Sequence, residues 1–233
     1  RKCRSSAPTT MPTNADPVHA AKGAAALKFL NAGQACISPN RLYVPASLSD
    51  AFNETLCARV DKLETGNGVV DGVGVGPLVN EAAVAKVEAQ VEDARGKGAG
   101  VPVGGTRLTD GDYGSGHFFA PTVLTGVRED MTVYREETFG PVAPVITYED
   151  PDEVIDLAND TNYGLAAYVY TRDIGVAMRA FEGLRFGIIG INDVNPTSAS
   201  VPFGGMGDSG LGREGGHEGI AEYLETKTGG FAI

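Results

Sequence analysis

Four short segments rich in apolar residues, Arg41 to Val44, Val142 to Tyr148, Ala166 to Tyr170 and Gly187 to Ile191, alternate with stretches whose apolar residues recur at helical spacing. The helical stretches run from Ala15 to about Leu30, from Leu48 to Leu63 (Leu48, Phe52, Leu56, Val60, Leu63), from Glu81 to Ala94 (Val84, Val87, Val91), from Pro151 to Asn159 and from Ile174 to Leu184. Strands that are apolar without alternation are buried on both faces, and helices between them supply the cover. The predicted fold is therefore α/β, a mostly parallel sheet covered by helices on both faces. Asp16 is the expected N-cap of the first helix, with Pro17 at the first helical position, where its missing N–H costs nothing. Gly100 to Val103 and Phe118 to Val127 add shorter extended segments, the second broken by Pro121.

A chain of 233 residues buries a core suited to one large domain or two small ones. Residues 1–14, RKCRSSAPTTMPTN, show no periodicity and are expected to form an irregular arm. Residues 15–205 are expected to form the main α/β domain, and residues 206–233 a C-terminal segment. The 32 glycines are about twice the usual share, which implies many tight turns.

A net charge of −11 speaks against a nucleic-acid or anionic-membrane surface, since both need clustered lysine and arginine. No apolar run approaches the roughly 20 residues of a membrane span, and the basic start lacks the apolar core of a signal peptide. Cys3, Cys36 and Cys57 are too few and too scattered for a disulfide framework, which points to a reducing, cytoplasmic setting.

The glycine-rich motifs do not read as phosphate cradles. GLGREG, residues 210–215, has the G-x-G-x-x-G spacing, but no apolar strand leads into it and too little chain follows for a ribose-binding acid. It reads as a turn before a helix over Glu218 to Glu225. His19, His117 and His217 are isolated, so no metal site is expected. No G-x-S-x-G elbow is present.

Cys36 remains, in KFLNAGQACISPNR (28–41). A lone cysteine is commonly a small buried hydrophobe. Gly33, however, lets the chain turn sharply, and a thiol on a turn with backbone N–H groups nearby is suited to nucleophilic acyl chemistry. From the residues alone both readings stand. In open α/β sheets ligands sit at the carboxyl ends of strands, so the loops there are the expected location of a site.

KFLNAGQAC resembles the nucleophile segment of the aldehyde dehydrogenases. EETFGPVAPV (136–145), NDTNYGLAAYVYT (159–171), GIIGIND (187–193) and PFGGMGDSGLGREGG (202–216) follow in that family's order. The match covers roughly Ala15 to the C-terminus and is similar to the catalytic half of the family, with the tail nearest the succinate semialdehyde branch.

The resemblance implies oxidation of a small aldehyde to its acid with NAD or NADP, through a thiohemiacetal and a thioester on Cys36, with the Cys36 N–H donating to the oxyanion. It makes Glu137 the holder of the nicotinamide ribose, Phe139 the support of the nicotinamide and Phe203 an aromatic of the substrate pocket. Thr197 or Ser198 stands where the branch uses a serine hydroxyl. It also implies a homo-oligomer, a dimer or tetramer, joined through the C-terminal tail.

Three positions depart from the pattern. Leu30 replaces an arginine that clamps a distal carboxylate six residues before the nucleophile. Ser38 replaces a redox-switch cysteine of some relatives. Lys2 stands where the general-base glutamate of an E-L-G-G segment would be, and a lysine of ordinary pKa near 10.4 is protonated at neutral pH. With the family's dinucleotide-binding half not matched, this chain alone is expected to be a poor dehydrogenase; the alternative is a non-catalytic or structural subunit of the same fold.

Overall fold

The computed structural model describes residues 6–233. In chain order its elements are β1 (Pro8–Thr10), α1 (Pro17–Lys28), β2 (Arg41–Pro45), α2 (Ser49–Val60), α3 (Glu81–Gly96), β3 (Gly100–Val103), β4 (Arg107–Leu108), β5 (Phe118–Phe119), β6 (Thr122–Thr125), α4 (Thr132–Arg135), β7 (Val142–Tyr148), α5 (Val154–Asn159), β8 (Tyr163–Gly164), β9 (Ala166–Val169), α6 (Ile174–Gly183), β10 (Ile188–Ile191), β11 (Met206–Gly207) and α7 (Gly216–Ala221). Seven strands form one sheet in the order β10-β9-β1-β2-β7-β6-β3. All neighbours run parallel except β3, which pairs antiparallel with β6 at the edge. Pro102 lies in β3, where an edge position tolerates a missing donor.

Local chemistry sets the helix starts. Asp16 Oδ1 accepts from the N–H groups of Val18 and His19 at 3.0 and 3.1 Å, with Pro17 following as the sequence predicts. Asn80 and Asp173 cap α3 and α6 in the same way, accepting from Ala83 N at 3.0 Å and Val176 N at 2.8 Å. Along β2 all five residues are buried, and alternation sends Leu42 and Val44 to one face and Arg41 and Tyr43 to the other. Helices α1 and α2 pack together over β2, β6 and β7, while α5 lies against β1.

Arg41 is fully buried and organises the second face. Its guanidinium donates to the carbonyls of Leu157 (3.2 Å), Ala158 (2.9 Å), Asp160 (3.2 Å) and Ser6 (3.2 Å) and to the Tyr43 hydroxyl (2.9 Å). It also lies over the rings of Tyr43 and Tyr134 at 5.6 and 5.4 Å. The carbonyls left open at the C-terminal end of α5 are thus closed by a cation from β2.

The largest correction to the sequence reading concerns the supposed irregular arm. Pro8–Thr10 is a buried parallel strand in the interior of the sheet, between β2 and β9. Three residues carry no periodicity, and a proline in a central strand reads as a breaker. It is tolerated because Pro8 is the first residue of the strand. The extended segment expected over Phe118 to Val127 is two strands: β5 pairs with β4 in a separate ribbon, and β6 belongs to the main sheet. The final helix spans Gly216–Ala221 instead of Glu218 to Glu225, and α5 starts at Val154 instead of Pro151.

Candidate active site on the Cys36 turn

Helix α1 ends at Lys28, and the chain then turns through three consecutive residues in the left-handed region, Asn31 (φ 50°), Ala32 (φ 57°) and Gly33 (φ 72°). Asparagine tolerates this conformation, whereas for alanine it costs about 1 to 2 kcal/mol. The turn is held by reciprocal bonds: Asn31 Nδ2 donates to Gln34 O at 3.1 Å and Gln34 Nε2 to Asn31 O at 3.3 Å. Gln34 also bridges to the segment just before α3, accepting from Val79 N at 2.8 Å and donating to Pro77 O at 3.2 Å.

Cys36 is half-buried and takes the first central position of a second turn, closed by Ser38 N donating to Ala35 O at 3.0 Å. Tyr168 on β9 donates its hydroxyl to Ile37 O at 3.0 Å. Ser38 donates its hydroxyl to Lys28 O at 3.2 Å, tying the Cys36 segment back to the end of α1. Ser38 is therefore a structural donor.

The loop 136–141, which leads into β7, is docked on this turn. A Cβ on Gly33 would stand 2.1 Å from Gly140 O, so only glycine allows this approach and this φ together. Asn40 is buried; its Nδ2 donates to Glu136 O at 3.1 Å and its Oδ1 accepts from Thr138 N at 2.9 Å. Glu137 lies between those two bonds and is half-buried. Phe139 follows in the left-handed region at φ 53°, unusual for a bulky residue, and is 37% exposed.

Cys36 precedes β2, and Glu137 and Phe139 precede the neighbouring parallel strand β7. All three therefore lie at the amino ends of neighbouring strands, not at the carboxyl ends where the general rule for open sheets leads one to expect a site. The rule describes loops that follow strands, and here the loops that precede them are brought together.

Phe203 pairs with Glu214 through two backbone bonds of 2.7 and 2.8 Å. It lines a cavity of about 560 Å³ with Leu165, Arg213, Glu222 and Tyr223, and Cys36 is not among the lining residues. Thr197 donates to Asn195 Oδ1 and Ser198 pairs with Ser200, both at 2.9 Å, so these hydroxyls are engaged within their own loop. Leu30 is 56% exposed at the start of the Cys36 turn. Lys2 lies outside the described residues. Among those residues, no three His, Cys, Asp or Glu side chains are grouped to hold a metal, and no helix is long and apolar enough to cross a membrane. GLGREG is a run of turns, with Gly210, Gly212 and Gly215 all at positive φ.

Lys28, which the sequence reading passed over, is 1% exposed beneath this site. Burial pulls its pKa down to about 7, and the nearby Glu137 carboxylate opposes that pull. An unfolded lysine titrates near 10.4, so between pH 7 and about 10.4 the unfolded chain holds a proton that the folded chain has released. Stability supplied through this group is lowest below pH 7 and rises with pH across that window. Lys28→Met is expected to remove this rise and to stabilise the chain near pH 7 by on the order of 4 kcal/mol. Urea unfolding of both proteins from pH 7 to 10 checks it: the two curves should converge as pH rises, and parallel curves would contradict it.

Fold and site together define an α/β domain whose thiol sits on a partly exposed turn held by hydrogen bonds and close contacts from several elements. The chain belongs to the aldehyde dehydrogenase family, whose signature matches residues 3–229. Residues 3–14, expected to lie outside the resemblance, fall within that match. The chain is 48% identical over 221 residues to the NADP(+) succinate-semialdehyde dehydrogenase of Escherichia coli (strain K12), covering 95% of this chain and 45% of the relative. It is 48% identical over the same length to the non-phosphorylating aspartate-semialdehyde dehydrogenase of Halomonas elongata, covering 95% of this chain and 44% of that protein. The crystal structure of succinate-semialdehyde dehydrogenase from Burkholderia pseudomallei superposes with a TM-score of 0.90 at 48% identity, over 94% of this chain and 45% of that one. The chain thus spans about half the length of the curated relatives it matches.

Proposed function

We propose that this chain carries the covalent half of an NAD(P)-dependent oxidation of a small aldehyde, a semialdehyde or near relative, to the carboxylic acid. The observation that supports this best is the docking of the Cys36 turn on the 136–141 loop, through Gly33 against Gly140 and through Asn40. In this reading the Cys36 thiolate attacks the aldehyde carbon to form a C–S bond, and the carbonyl oxygen becomes an oxyanion facing the Cys36 N–H. Loss of hydride from that carbon leaves a thioester, and attack by water releases the acid and returns the thiolate. Nicotinamide, when bound, supplies the hydride acceptor. Glu137 and the exposed ring of Phe139 fit a nicotinamide riboside, as a carboxylate acceptor for ribose hydroxyls and an aromatic face.

Leu30 has no charge to offer a distal carboxylate, so a substrate without a strong demand for that clamp is favoured. The names of the relatives, semialdehyde dehydrogenases acting with NADP(+) in one case, support the substrate class and leave both nucleotides open. The exposed apolar residues Tyr223, Leu224 and Phe231 suit a C-terminal segment that joins a second copy, making the working form a homo-oligomer.

The test is nucleotide reduction at 340 nm with succinate semialdehyde, glutarate semialdehyde and an uncharged aldehyde, using NAD+ and NADP+. Slow, aldehyde-dependent turnover that Glu137→Gln depresses further is the expected result. A rate unchanged by Glu137→Gln would remove the ribose assignment. The rival reading, a non-catalytic subunit, requires that no aldehyde supports turnover and that no acyl group accumulates on Cys36.

A further inference from the structure

Asn40 belongs to the nucleophile segment by sequence, yet its side chain serves a different loop. The backbone N–H of Asn40 donates to Ala7 O at 2.7 Å, so the main chain is fixed by β1's approach without help from the carboxamide. The carboxamide is buried at 2% exposure, and its bonds run to Glu136 O at 3.1 Å, Thr138 N at 2.9 Å and, longer, Val133 O at 3.5 Å. Both the donor and the acceptor ends of one short amide are thus spent on the residues flanking Glu137. A side chain with only one of these functions would satisfy only one flank.

The bracketed stretch leads directly into Phe139 at φ 53°, a conformation that is strained for a bulky residue and persists only where its surroundings over-determine it. Two contacts do so here, the Asn40 clamp before Phe139 and the approach of Gly140 O to Gly33 after it. Lys28, electrostatically coupled to Glu137, stands at the root of the same turn.

We propose that Asn40 is a positioning residue for nucleotide binding: its carboxamide fixes the Glu136–Thr138 backbone so that Glu137 and Phe139 are presented together toward the Cys36 turn. This rests on the reading that Glu137 and Phe139 receive the nicotinamide riboside. Asn40 touches neither substrate nor nucleotide in this scheme. It sets the geometry of the groups that do, and it links that geometry to the segment carrying the nucleophile.

The experiment compares the purified chain with its Asn40→Ala, Asn40→Asp and Glu137→Gln variants. NAD+ affinity is read by saturation-transfer NMR on the nicotinamide protons, backbone order by amide hydrogen exchange over residues 133–142, and the thiol by iodoacetamide alkylation of Cys36 without nucleotide. Asn40→Ala is expected to weaken NAD+ by about tenfold, the loss of roughly one net hydrogen bond. It should also speed exchange at the Thr138 amide by tenfold or more. Cys36 alkylation should stay within about twofold of the parent, because Ala7 still holds the Asn40 backbone. Asn40→Asp keeps the acceptor for Thr138 N–H and is expected to retain that amide's protection while still weakening NAD+. If Glu137→Gln weakens NAD+ and Asn40→Ala does not, the positioning role is overturned while the ribose assignment stands. If neither variant changes NAD+ affinity, or the parent binds none, the ribose assignment falls and the positioning role falls with it. If both Asn40 variants lose NAD+ binding, alkylation rate and thermal stability in proportion, Asn40 is a folding residue only and the proposal is overturned.

Discussion

Cys36→Ala is expected to abolish the burst of p-nitrophenol that the chain releases from p-nitrophenyl acetate, cutting the rate on the order of a hundredfold or more, while Cys57→Ala retains it. Ester acylation uses only the thiol, its turn and an oxyanion donor, so it isolates the Cys36 site from the nucleotide. The sequence has Lys2 in the register where the resemblance expects a general base, so water activation is expected to be weak. Acylation should therefore outrun deacylation, giving a burst of about one equivalent per chain followed by slow turnover. Stopped-flow absorbance at 400 nm on the three proteins reads both phases. A burst that survives Cys36→Ala would assign the acylation to another residue.

The second large effect is structural. Arg41→Met is expected to destabilise the chain by about 3 to 5 kcal/mol, because it strips donors from the carbonyls of Leu157, Ala158, Asp160 and Ser6 in a buried setting. For a domain of this size that corresponds to a fall in melting temperature of roughly 6 to 20 °C. Methionine fills much of the space of the arginine stem, so the loss reports on the guanidinium and not on a cavity. Arg41→Lys should recover only part of the loss, since an ammonium cannot span the planar set of acceptors and the tyrosine faces that the guanidinium occupies. Thermal melts by circular dichroism check the order parent, lysine variant, methionine variant. Equal melting points would show that the carbonyls at the end of α5 are satisfied by other means.

The alternation of apolar strands with amphipathic helices was legible because each long element repeats its pattern over several turns or residues, as in α2 and β7. Pro8–Thr10 was not, since three residues hold no period and the strand's identity comes from its neighbours β2 and β9. For the same reason β4, two residues long, could be found only through its pairing with β5, and the division of Phe118 to Val127 into β5 and β6 only through their separate partners. The Cys36 segment stood out through glycine and cysteine three residues apart, with the buried-thiol and nucleophile readings both open, and its likeness to the aldehyde dehydrogenases favoured the second. What could not be read were the contacts that join this segment to its neighbours: Gln34, Asn40 and Tyr168 look like an ordinary loop amide, a turn residue and a strand aromatic. They become site residues only because the fold delivers Val79, Thr138 and Ile37 to them. Lys28 carried a signal that went unused, a lysine at the end of an alanine-rich apolar helix face, where Ala24, Ala25 and Leu27 are all buried. The placement of the candidate site residues at the amino ends of β2 and β7 was visible in the order of motif before strand, and the general rule for open sheets obscured it.

The central claim, that the Cys36 turn presents a nucleophile and not a structural thiol, meets its most direct test in the chain's own second described cysteine. Cys57 sits in α2, half-buried, where burial first and the Asp61 carboxylate second push its thiol pKa up. Iodoacetamide alkylation at pH 7, quenched at intervals and read by peptide mass mapping, gives both rates in one tube. Cys36 is expected to react at least about ten times faster than Cys57. Equal, slow rates at the two thiols would contradict the assignment and leave Cys36 a packed residue in a turn.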